Sequence, residues 1–317
     1  MEFIASLLNS MPGAAAQGLA WGIMAIGVYI TYKILDIADL TVDGSIGTGA
    51  AVCVVLTVNG VPVWAAMLCA VLAGVLAGVV TGLFHTVCGI PAILSGILTQ
   101  LALYSINLRT MGWGTGGGKP NLPVSVDKYD LLVTARYVRD LALRNPLIPL
   151  AALTVVVIAL LYWFFGTELG CSLRATGANG NMARAQGINT NWCKVLGLMV
   201  SNGLVALAGA LLAQYQGFSD VNMGRGAIVI GLAAVIIGEV LFSKVFRNFA
   251  LKLLACVFGA VIYYIVIQVV LRLGLSTDDL KLLTALVVAL FLAVPHWKAR
   301  YFSKAVVPAQ KGGSAHA

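Results

Sequence analysis

Apolar residues run along most of the chain in stretches of 15 to 24, separated by short polar segments. A hydrocarbon core takes about 20 helical residues to cross. The pattern therefore predicts nine spans, at 13–35, 45–59, 62–84, 90–108, 147–166, 191–214, 226–242, 249–272 and 280–296, in an all-α, polytopic membrane fold. The second and seventh are short. Each follows a polar, glycine-containing segment, Asp39-Leu-Thr-Val-Asp-Gly-Ser45 and Asp220-Val-Asn-Met-Gly-Arg-Gly226, which predicts broken or re-entrant helices there.

The two short spans hold corresponding places. Each is second in a group of four, and the fifth span, 147–166, links the groups. Because equivalent members lie five spans apart, the second group runs with opposite membrane polarity. The expected organisation is an inverted repeat: residues 1–12 as a short interfacial N-terminal helix, repeat one over about 13–108, repeat two over about 191–297, and a cytoplasmic tail at 298–317. Inverted repeats with discontinuous helices at matching places point to a solute pathway between the halves. Span three adds a packing signal, because Ala70, Gly74, Gly78 and Gly82 share one helix face and predict a close helix contact.

Composition removes the soluble alternatives. Of the residues, 60% are apolar and 10% charged, with a mean hydropathy of +0.95, whereas soluble domains carry about 25% charged residues. The polar loops leave no room for a nucleotide-hydrolysing domain, so any such function belongs to another chain. The net charge of +8 comes from Lys and Arg scattered between spans, a membrane-flanking pattern rather than a nucleic-acid groove. With the C-terminus inside, 11 of the 20 basic residues fall on the cytoplasmic side and six of the other nine lie in the 109–145 loop. Discounting that loop places the C-terminus inside and the N-terminus outside. Its stretch Tyr129 to Arg144 reads as an amphipathic helix on the membrane surface. The six cysteines, without Cys-x-x-Cys spacing, read as small hydrophobes.

No catalytic residue, metal site or cofactor is expected. The three histidines are solitary, and Gly112 to Lys119 fails as a phosphate loop because Trp113 replaces the first glycine and Pro120 the magnesium-holding hydroxyl. Polar side chains at membrane depth then become informative, since each is costly without partners or water. Asp43, Ser45, Gln100, Asn202 and Gln214 are the candidate pathway residues, with Asn202 foremost. Gln268 is a further deep amide, and Glu239, near a span end before Lys244 and Arg247, reads equally as a snorkelling carboxylate.

The loop between spans five and six carries the most specific message. In 167–189, Asn179 or Asn181 is placed to cap a short helix, Met182 to Gln186, which Gly187 ends. A single turn between two spans has no core of its own and serves best as a knob inserted into a partner. Leu173-Arg-Ala-Thr-Gly-Ala-Asn179, Ala183-Arg-Ala-Gln-Gly-Ile-Asn189 and Asp39 to Ser45 together resemble the permease subunits of bacterial ABC importers in the branched-chain amino acid and ribose branch. The resemblance extends over roughly 30–300.

It implies a multi-pass protein of the bacterial cytoplasmic membrane and a pore made with a second permease copy, preferably identical. It further implies ATPase subunits gripping the 170–189 coupling segment, an extracytoplasmic solute-binding protein, and no nucleic-acid partner. Arg174, Gly177, Asn179, Ala183, Arg184 and Gly187 would carry the coupling. The extra Asp43 departs from the ribose members and favours an amino-acid solute, aromatic ones included. A sugar or nucleoside ABC permease and a secondary transporter remain the alternatives. A secondary transporter would place a coupling-ion site of carboxylates or unwound carbonyls deep in the membrane.

Overall fold

Lipid offers the backbone no hydrogen-bond partners, so each apolar run closes its own bonds as a helix. The computed structural model of the chain describes residues 2–126, 128–138, 145–242, 246, 248–272 and scattered positions between 282 and 293. Repeat one comprises α1 (Glu2–Tyr29), α2 (Val42–Val58), α3 (Val63–Thr86) and α4 (Ala92–Met111). The linker span is α5 (Leu147–Gly166), followed by two short helices, α6 (Glu168–Ala178) and α7 (Gly180–Ala185). Repeat two begins with α8 (Thr190–Gln216), α9 (Ala227–Phe242) and α10 (Phe249–Arg272). Two three-residue strands, β1 (Asn121–Pro123) and β2 (Phe218–Asp220), pair antiparallel with Asn121 opposite Asp220.

The packing obeys a two-fold exchange of α1 with α8, α2 with α9 and α3 with α10. The most extensive contacts join α3 to α8 and, equivalently, α1 to α10. Missing side chains make both possible. A Cβ at Gly78 would stand 2.7 Å from the carbonyl carbon of Leu198, and one at Gly82 would stand 3.0 Å from Val195 Cα. On the other side, a Cβ at Gly18 would stand 2.6 Å from Val261 Cα. At the centre α1 crosses α8 where Ser201 Oγ donates to Gly27 O at 2.8 Å. Each repeat thus lends its first helix to the other repeat's third.

Both short helices are partial spans, 17 and 16 residues long, where a full crossing takes about 20. After α1 the backbone widens into a π-turn, Ile30–Ile34, and Asp36, at φ 55°, turns the chain back towards the centre before α2 begins. After α8 the left-handed Gly217, at φ 78°, makes the corresponding reversal before α9.

Three expectations change, and a fourth falls mostly outside the described residues. Residues 2–12 form no separate helix, because α1 runs without a break through Pro12. The segment from Tyr129 is not an amphipathic helix in its described part. Only Ala135–Tyr137 make a 3-10 turn, and residues 139–144 lie outside the described residues. The reason is that this loop's apolar residues are drawn into the bundle: Val133 is fully buried, the Tyr129 hydroxyl donates to Val58 O at 3.2 Å, and Leu132 N donates to Gln214. The short helix expected at Met182 to Gln186 starts at Gly180 and is preceded by the unforeseen α6. Most of the ninth span, 280–296, lies outside the described residues; those described between 282 and 293 are helical, with Val288 buried.

Candidate functional site

The N-termini of α2 and α9 meet inside the bundle, with a carboxylate beside each. A helix N-terminus exposes unpaired N–H groups and the positive end of its dipole. Asp43, in the first turn of α2, accepts from Gly226 N and Ile228 N at 3.0 Å each, so one side chain holds the start of the opposite half-helix. Gly224 fits only because it lacks a side chain, since a Cβ there would meet Asp43 O. Asp39 accepts from Thr41 N at 2.9 Å and so secures the approach to α2.

Asp39 also starts a buried polar chain. Asn202, fully buried in α8, donates from Nδ2 to Asp39 Oδ2 at 2.8 Å and to Leu198 O at 3.0 Å. Its Oδ1 accepts from Ser45 Oγ at 2.6 Å. The Thr41 hydroxyl pairs with that of Thr81 at 2.8 Å, and Thr81 donates to Thr99 at 2.9 Å. This network ties α2, α3, α4 and α8 together through side chains that apolar packing alone would not orient.

The candidate pathway residues therefore do not form one cluster. Asp43, Ser45 and Asn202 gather at the half-helix junction. Gln100, half-buried on α4, lies beside it, its Cα 3.2 Å from where a Cβ at Gly44 would stand. Gln214 is twelve residues further along α8, about 18 Å at 1.5 Å per residue. There it accepts from Leu132 N at 3.2 Å and contacts Cys53 Sγ at 3.5 Å, pinning the long loop. Asp39 was missed as a site residue. Its signal was an acidic group flanked by the apolar residues Ile37, Ala38 and Leu40.

At the bundle end that carries the α1 C-terminus, α6 and α7 form a compact knob. Thr167 caps α6 by accepting from Gly170 N at 3.4 Å. Asn179, in extended conformation, ends α6 and caps α7 by accepting from Asn181 N at 3.1 Å and Met182 N at 3.0 Å. Gly187 follows at φ 81°. The knob is wired inward: a Cβ on Gly177 would meet Ile34 O in the π-turn, Arg174 donates to Phe165 O and lies 5.6 Å over the Phe249 ring, and Arg184 donates to Thr190 Oγ1 at 2.9 Å. Ala183 is buried beneath, while Asn181, Met182 and Gln186 face outward.

Two interlocked halves of opposite polarity, with half-helices meeting in the bundle, define a membrane transport protein. Comparison with known proteins agrees. Residues 10–295 match the family described as branched-chain amino acid transport system / permease component. The chain is 43% identical over 90% of its length, and 91% of the relative's, to the tyrosine transport system permease protein of Clostridioides difficile (strain R20291). It is 34% identical over 90% of its length to an uncharacterized protein of Rickettsia prowazekii (strain Madrid E), covering 98% of that protein. A chain of the solved structure of PsaBC from Streptococcus pneumoniae in complex with Fab shares the fold at a TM-score of 0.54 and 18% identity, over 94% of this chain and 98% of that one. The chain belongs to the branched-chain amino acid permease component family: it is a multi-pass transport subunit of the inner membrane, and it is not an enzyme.

Proposed function

We propose that the chain is the membrane-spanning subunit of an ATP-driven importer. In this reading it passes a small amino acid, aromatic ones included, that an extracytoplasmic binding protein delivers. The observation that carries the reading is the outward-facing α6–α7 knob, rigidly capped at Asn179 and joined by Gly177 to the π-turn that leads into α2. A cytoplasmic ATPase seated on Asn181, Met182 and Gln186 would push α6 against Ile34. The displacement passes through residues 35–41 to Asp39, Asn202 and Asp43, where the half-helices meet. Arg174 and Arg184 hold the knob to α5 and α8 so that it moves as one body. A second, identical permease copy completes the pore. The amino-acid assignment draws on the name of the Clostridioides difficile relative.

The test is reconstitution with the ATPase subunit in vesicles, measuring uptake of labelled tyrosine and hydrolysis together. Gly187→Val places a β-branched residue at a left-handed backbone position, a strain on the order of 1–2 kcal/mol. Hydrolysis is expected to persist while uptake falls. Unchanged uptake in Gly187→Val removes the coupling role from this knob, and failure of the ATPase to co-purify with the wild-type chain removes the importer reading.

A further inference from the structure

At the knob end of the bundle, the α1 π-turn, the end of α9 and the start of α10 enclose a cavity of about 180 Å³ that plays no part in the junction or the knob. Its charged groups are Lys33, Glu239 and Lys252. Lys33 Nζ reaches both Glu239 oxygens, at 2.9 and 3.2 Å, so that pair is neutral. Lys252 is exposed, and its ammonium has no partner among the described residues. Among the described residues one positive charge is left over, in the first turn of α10, where the helix dipole adds to it. The deeper wall is apolar: Val235, Phe242, Ala255 and the buried Cys256.

The geometry points to this cavity as a binding site for the phosphodiester of an anionic phospholipid, with an acyl chain lying along Val235 and Phe242. A basic pocket between membrane helices suits a lipid head group. A phosphodiester carries one negative charge and so balances Lys252. Free inorganic phosphate, more than singly charged at neutral pH, would overcompensate Lys252 and would leave the apolar wall bare. A zwitterionic phosphatidylcholine head brings no net charge.

The experiment uses the purified full chain in detergent, with phosphatidylglycerol, phosphatidylcholine and inorganic phosphate added separately. The readouts are thermal unfolding and native mass spectrometry. Phosphatidylglycerol is expected to raise the midpoint and remain bound, and the other two are not. Lys252→Ala is expected to bind it about fivefold more weakly, Lys252→Arg to bind as the wild type does, and Lys128→Ala, in the long loop away from the cavity, to change nothing. The proposal is overturned if phosphatidylcholine stabilises equally. It is also overturned if inorganic phosphate alone reproduces the shift, which would mark a soluble-anion site, or if Lys252→Ala keeps the full response.

Discussion

A carboxylate inside an apolar span costs about 2.5–3.5 kcal/mol at the bilayer centre unless donors meet it, and Asp43 finds two in the first N–H groups of α9. It also lies in the first turn of its own helix, so it stands at the positive ends of two partial spans at once. Asp43→Ala frees both donors. The expected loss is about 1–2 kcal/mol, in the range measured for N-caps, read as a lowered unfolding midpoint in detergent; Asp43→Asn, which keeps one acceptor, should lose less. A midpoint unchanged in Asp43→Ala would show that α9 is held by packing alone. Asn202 calls for a different probe, because its amide is fully partnered and buried in this conformation. With cysteine at position 202 and the six native cysteines removed, a water-soluble thiol reagent is expected to react only while ATP is being turned over. Protection throughout turnover would place position 202 in a dry helix contact, outside the pathway.

At the scale of elements, hydropathy located the spans because lipid permits little but helix in them, and it marked α2 and α9 as partial spans through Asp39 to Ser45 and Asp220 to Gly226. It was silent on α6. Glu168 to Ala178 has the composition of a loop, and its helix depends on Leu173 and Thr176 burying against neighbours far along the chain. The Tyr129 segment misled for the opposite reason: its apolar periodicity is real, but Val133 satisfies it inside the bundle rather than at a lipid surface. Part of the Asp39–Asn202 pair was likewise invisible, since 163 positions separate the partners. The glycine face of α3 was legible in spacing alone, and its partner, α8, was not. Gly78→Leu would drive a side chain into the Leu198–Met199 backbone, 2.7 to 2.8 Å away. Overpacking of this kind costs about 1–3 kcal/mol even where neighbours yield, and a backbone yields little. The expected result is aggregated or poorly extracted protein; a monodisperse Gly78→Leu preparation would contradict the contact.

For the molecule as a whole, the two-fold exchange sets what each half is able to do by itself. The glycine-lined face of α1 is covered by α10, and that of α3 by α8. In each case the partner is made late. When repeat one has left the ribosome, Gly18, Gly22, Gly74 and Gly78 still have no helix against them, and Asp39 and Asp43 still lack Asn202 and the α9 N–H groups. The nascent chain must therefore hold two acidic residues short of partners and two narrow helix faces uncovered in the membrane until more than a hundred further residues have been inserted. Closure comes late, with the arrival of α8, α9 and α10. A chain truncated after α4 would be a substrate for membrane quality control rather than a stable half-protein.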